Sequence, residues 1–275
     1  MLSADCPATK DGDREKMAEI LFEKFSIPQY FVCNQSILSI YSSGRTSAMI
    51  VDAGYGATHT MAIHEGYAYP HTIERMAVGG ADISQYLDNM LRDRGVDTSS
   101  LDLDTIQEQV SSVGLDFIQE SARLRTHMDE QPTLTLPDGN TVVLTDEHLR
   151  CGEVLFQPGL VGASGDGLDD LMWQIIRVCD SDKEGGPMRN LPNCILLSGG
   201  LSQMPGFGAR VRAELEKRSG HGRGFFIATL PQDEARCAAW IGGSILASLP
   251  GFVDNNFVSL AEYRELGPSA VHRRC

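Results

Sequence analysis

Apolar residues recur at helical spacing from Asp11 to Phe25, with Met17, Ile20, Leu21 and Phe25 on one face and acidic residues near the start; Ile27-Pro28 ends the run. Tyr30 to Cys33 reads as a short strand, and Asn34-Gln35-Ser36 caps a second helix that carries Ile37, Leu38, Ile40 and Tyr41. After a break at Ser42 to Thr46, the runs Ala48 to Val51 and Ala57 to Ile63 read as strands either side of the turn Asp52-Ala53-Gly54-Tyr55-Gly56. Ile83, Tyr86, Leu87 and Leu91 predict a helix from Asp82 to Arg94, and a longer helical stretch follows from Leu103 to Met128. A hairpin spans Leu134 to Leu144 around Pro137-Asp138-Gly139-Asn140, with helices at His148 to Phe156 and Leu168 to Cys179 beyond it. Past a polar connection over Asp180 to Pro192, Cys194 to Leu197 is a buried strand stopped by Ser198-Gly199-Gly200. A helix (Pro205 to Lys217), a strand (Phe225 to Ala228), a helix within Asp233 to Leu249 and a short helix at Ala261 to Glu265 complete the chain. Helices and strands in alternation predict a layered α/β protein, with a boundary near residue 44.

Composition narrows the function classes. The 275 residues are 42% hydrophobic, enough for a sizeable core. A net charge of −14 and a pI near 4.8 argue against a nucleic-acid grip, which needs clustered Lys and Arg. Seven cysteines without a C-x-x-C pair signal neither a disulfide framework nor a zinc site, and reduced thiols in a cytosolic protein are the simplest reading. No apolar stretch approaches the length of a membrane span, and no basic start precedes an apolar run.

Candidate chemistry gathers at three glycine turns. Gly54 and Gly56 let the backbone turn sharply and can present amide N–H groups to a phosphate, or they serve an ordinary hairpin. Asp52 at the strand end could hold the water shell of a metal ion, and His59 returns to the same mouth if the strands pair. Gly79-Gly80 precedes a helix, as a ligand-facing N-terminus or a plain cap. Ser198-Gly199-Gly200 follows a strand, at a ligand position or at a close helix crossing.

Together these segments resemble a known family. V-D-A-G-Y-G-A-T-H-T, L-L-S-G-G, A-A-W-I-G-G-S-I-L-A-S-L, F-V-S-L-A-E-Y and G-P-S-A-V-H-R-R-C are similar to actin and the actin-related proteins, in order and at family spacing, from about Leu2 to Cys275. The resemblance implies an actin-like, ribonuclease-H-like fold of two α/β domains around a cleft for ATP or ADP with Mg2+. It implies that Asp52 stands behind the metal through water, that Gln35 and His59 orient attacking water, and that Gly54 and Gly56 belong to a phosphate loop. Gly79, Gly80, Glu108, Ser198, Gly199, Gly200 and Arg236 match positions around the nucleotide; Tyr41, Gly44, Glu65, Tyr67, Leu246 and Leu249 match a cleft that takes partner helices.

The departures shape the expectation. Relative to the family the chain starts in mid-strand, so the N-terminal domain is expected to be incomplete, without the first phosphate loop and its lysine. Tyr55 replaces an acidic residue, Gln107 a lysine, and no aromatic follows Cys275. Residues 1–43 with 238–275 are expected as a remnant of the small domain, and 44–237 as an independently folding large domain with an inserted outer subdomain at about 80–163. Phe22, Phe25, Phe31, Ile37 and Leu246 should then be exposed beside an unpaired strand edge. The expected function is that of a cytoplasmic, cytoskeletal scaffold subunit working through other proteins, actin or actin-like chains among the candidates, with no nucleic acid or membrane partner. Its nucleotide affinity would be weak or nil. The alternative is a polymerising actin-type ATPase whose remaining part is supplied elsewhere; a sugar or acetate kinase of the same superfamily fits the tail motifs poorly.

Overall fold

In the computed structural model the chain opens on β1 (Leu2–Asp5), α1 (Asp11–Glu19), β2 (Gln29–Asn34) and α2 (Gln35–Ser42). Every residue is described except 8, 137–138, 184–185, 221–222 and 274–275, so Cys275 lies outside the described residues. α1 carries Asp11 and Asp13 in its first turn, where carboxylates meet the positive end of the helix dipole. It runs into a π-helical turn at Ile20–Lys24, which adds a residue per turn and rotates the next side chains about the helix axis. The buried face is Ala18, Leu21 and Phe22; Met17, which the spacing groups with Leu21 on one apolar face, is exposed, and so is Phe25. Asn34 Oδ1 accepts from Ser36 N–H at 2.8 Å and starts α2 where the sequence places it.

The central unit comprises β3 (Ala48–Ala53), β4 (Thr58–His64), β5 (Tyr67–Ala68), β6 (Glu74–Met76), α3 (Gly80–Asp93) and α4 (Leu103–Val110). Next come α5 (Phe117–Thr126), β7 (Thr133–Thr135), β8 (Thr141–Val143), α6 (Glu147–Glu153) and α7 (Leu168–Asp180). β9 (Cys194–Ser198), α8 (Phe207–Ser219), β10 (Phe226–Thr229) and α9 (Gln232–Ala235) lead to α10 (Ala238–Ser248), α11 (Phe252–Asn256), β11 (Val258–Ser259) and α12 (Leu260–Leu266). The main sheet has the order β10-β9-β3-β4-β5, with β6 also on β4; β3, β9 and β10 run parallel and β4 antiparallel to β3.

The helix expected over Leu103 to Met128 is two helices. Between them Val113 N–H donates to Pro205 O at 2.8 Å and Ser112 N–H to His148 O at 3.1 Å, so those backbone groups are committed to neighbours rather than to a helix. Asp102 and Asp116 each cap the helix after them through a side-chain oxygen. The hairpin at β7 and β8 pairs Leu134 with Val142, while Pro137 and Asp138 of its turn lie outside the described residues.

Both faces of the main sheet are covered, which explains why β3 is apolar without alternation. Met49, Val51 and Ala53 join a core with α3, α7 and α8; Ile50 and Ala48 join a second one with Ile40 of α2 and Ala238 of α10. Residues 44–237 thus share one face of their sheet with α2 and α10. These two helices cross so closely that a Cβ on Gly242 would collide with Leu38 O.

The smaller sheet has the order β1-β2-β11, so β2 is paired on both sides. The expected exposure of Phe22, Phe31 and Leu246 is not found: they are 3%, 8% and 5% exposed, and Ile37 is half-buried. Phe22 stacks on Tyr263 at 4.5 Å, and Phe31 stacks on Phe257 at 5.5 Å with Phe252 edge-on at 5.3 Å. The C-terminal segment supplies the cover, and only Phe25 of the set stands in solvent.

Candidate functional site

A cavity of about 680 Å³ opens where the carboxyl ends of β3 and β9 meet the β3–β4 turn, the start of α3, α4 and the α9–α10 junction. This is the place where parallel strands leave room for a ligand. Gln35, Asp52, Gly54, Gly56, His59, Gly80, Glu108, Ser198, Gly199, Gly200 and Arg236 all line it, so the structure brings together residues up to 201 positions apart. Gly79 stands behind the wall: a Cβ there would collide with Tyr55 O, and its N–H donates to Asp82 Oδ2 at 2.9 Å, capping α3.

Asp52, next to the last residue of β3, lies directly opposite His59 on β4. Its Oδ2 accepts from Gln35 Nε2 at 2.9 Å and from Ser36 Oγ at 3.4 Å. Burial holds the carboxyl above its ordinary range, partly offset by those two hydrogen bonds. His59 is 3% exposed, and burial together with Arg75 across the β4–β6 ladder lowers its pKa to about 4, so the ring is neutral at pH 7.

The glycine turn is tied internally more than the sequence suggests. Gly54 N–H donates to Ala57 O at 3.1 Å, while Gly80 N–H donates to Gly54 O and Ala81 N–H to Tyr55 O, at 3.1 and 2.9 Å. Gly54 therefore does not offer its amide to a ligand. Gly199 takes φ +82° against Ala53 O, a position open only to glycine, which fixes the end of β9 on β3. Ser198 Oγ is buried with no partner, an unmet polar atom in the cavity wall.

Two links cross the rim to α4. Arg236 Nη2 donates to Glu108 Oε2 at 2.6 Å, and Tyr55 Oη donates to Asp104 Oδ2 at 3.0 Å, which raises the phenol's pKa. Sequence reasoning missed Asp104, Arg75 and Cys6 as wall or rim residues. Cys6 had one usable signal, its position after a strand that pairs in parallel with β2, which brings it out beside Gln35.

The expected partner cleft is only partly a surface. Tyr67 and Leu249 are exposed, at 59% and 48%, and Gly44 and Glu65 occupy left-handed turn positions. Tyr41 packs under the Glu65-Gly66 turn, where its hydroxyl would meet a Cβ on Gly66. Leu246 is buried with Phe31, Leu38 and Phe257, so it supports the cleft region from beneath.

The cavity has the room of a small-ligand site, and the unmet Ser198 hydroxyl is a polar group on its wall. No lysine stands among the lining residues, and among the described residues no group of three His, Cys, Asp or Glu side chains is placed to hold a metal ion.

A covered α/β sheet beside a smaller second sheet, with a cavity at the strand ends, defines a layered α/β protein. The sequence model of the actin family matches residues 1–103 and 99–275, and the chain belongs to the actin family. Among the described residues no helix is long and apolar enough to cross a membrane.

Proposed function

We propose that this chain is a cytoskeletal, cytoplasmic actin-like subunit that works through contacts with other proteins, with a cavity that holds an adenine nucleotide weakly at most. One observation carries the reading: of the two arginines on the cavity wall, Arg236 is already paired with Glu108, and no lysine accompanies them. Phosphoryl transfer depends on positioning and charge stabilisation at the transferring group, and a wall this poor in cations supplies little of either. In this reading residues 1–43 with 238–275 form the small domain and 44–237 the large one, with an outer part at about 80–163.

Protein contact is supported by apolar groups turned outward on α10, at its C-terminal end and on β5. Trp240 is 74% exposed, with Ile245, Leu249 and Tyr67 at 42%, 48% and 59%. Actin or actin-like chains are the partners this reading favours.

The convergence of Gln35, Asp52 and His59 favours a second reading, a polymerising actin-type ATPase in which these residues orient water. Phosphate release from Mg-ATP separates the two. Release no faster than the buffer blank supports the scaffold reading; release that disappears in H59Q supports the ATPase.

A further inference from the structure

Cys6 lies in a turn held by Thr9, whose N–H and Oγ1 donate to Cys6 O at 3.0 and 2.8 Å. The β1–β2 register sets Asp5 beside Asn34, so Cys6 emerges on the cavity wall next to Gln35. There its Sγ is 3.3 Å from His59 Nε2. The other described cysteines differ in kind. Burial pushes the Cys151 and Cys179 thiols up to about 12 and about 11; Cys33 and Cys194 are half-buried, and only Cys237 is exposed as Cys6 is.

The charged and titratable groups facing His59 are Asp52 from β3, Arg75 from β6 and Cys6 from the turn after β1. His59 Nδ1 is buried without a partner. A proton on Nδ1 would bury an unsatisfied N–H donor, whereas a bare Nδ1 leaves only an idle lone pair, so the neutral ring carries its proton on Nε2 and aims it at the sulfur. A thiol with a buried hydrogen-bond donor on one side and an open cavity on the other is held in a reactive pose.

We propose that Cys6 is a thiol–disulfide exchange site, taking small disulfides that carry a carboxylate into the cavity, where Arg75 stands on the wall across from His59. The Cys6 thiol loses its proton to water and the thiolate attacks one sulfur of R–S–S–R. A Cys6–S–S–R bond forms as the R–S–S–R bond breaks, and the departing thiolate takes a proton from water. The adduct occupies the part of the cavity beside His59 and Gln35. That the adduct would compete with a nucleotide for the cavity rests on the reading proposed above; the exchange itself does not.

The test uses the folded 275-residue chain without nucleotide, exposed to oxidised glutathione and separately to iodoacetamide, with initial rates at each cysteine read by peptide mass spectrometry. Cys6 is expected to react about fivefold or more faster than Cys237, given its donor and its cavity; a smaller ratio with both reagents overturns the proposal. In H59F the Cys6 rate should fall to within about twofold of that of Cys237, and an unchanged ratio would remove His59 from the account. The wild-type ratio decides the site itself, whether or not H59F folds.

Discussion

Arg236 and Glu108 lie 128 residues apart in sequence, yet their side chains meet at 2.6 Å across the rim of the cavity. A cation that could face an anionic ligand is thus already answered by a carboxylate. The pair is half-exposed, so its own worth is small, about 0.2–1 kcal/mol. Glu108→Gln should release Arg236 and tighten Mg-ATP binding by at most about fivefold, measured by titration calorimetry. Weaker binding in E108Q would show that Glu108 itself contacts the ligand.

Gly199 and Gly200 are neighbours with opposite tolerances. A Cβ on Gly200 meets nothing nearer than Arg236 Cγ at 3.8 Å, whereas one on Gly199 collides with Ala53 O at a positive φ. Gly200→Val should leave the thermal midpoint within a few degrees of wild type and abolish whatever nucleotide binding exists. Gly199→Val should destabilise the fold by about 2 kcal/mol or more. Undiminished binding in a folded G200V protein would place the ligand elsewhere.

The buried histidine gives a pH dependence of definite sign. The fold lowers the His59 pKa from 6.5 to about 4, so the unfolded chain binds a proton in that window which the fold refuses. Stability therefore falls as pH drops from 6.5 towards 4, by up to about 3 kcal/mol from this group. Asp52, whose pKa is raised in the fold, contributes in the opposite sense at the acid end. Urea unfolding of wild type and H59F from pH 7 to 4 isolates the histidine: the wild-type curve should fall relative to that of the variant, and parallel curves would contradict its buried neutrality.

Local patterns were legible and long-range pairings were not. The apolar run of β3, the Asn34 cap and the Ser198-Gly199-Gly200 stop are written in a few adjacent residues, and each is found. So is the meeting of Asp52 and His59, because a short turn between two strands fixes their register. The π-helical turn after α1 left no mark in the sequence, and Met17, grouped by spacing with Leu21, stands outside. The break between α4 and α5 comes from carbonyls of Pro205 and His148, which no local propensity encodes. The cover over Phe22 and Phe31 comes from Phe252, Phe257 and Tyr263, more than 200 positions downstream of β2, a distance at which hydrophobic pattern alone assigns no partner.

The central claim is that this cavity is too poor in cations to hold a nucleotide triphosphate tightly. Each charge-assisted hydrogen bond to phosphate is worth about 1.5–3 kcal/mol, so a site lacking three of them forgoes roughly 5–9 kcal/mol, thousands-fold or more in affinity. Isothermal titration of the 275-residue chain with Mg-ATP measures this directly. The account predicts a dissociation constant weaker than about 10 μM or no detectable heat, and a submicromolar constant would contradict it.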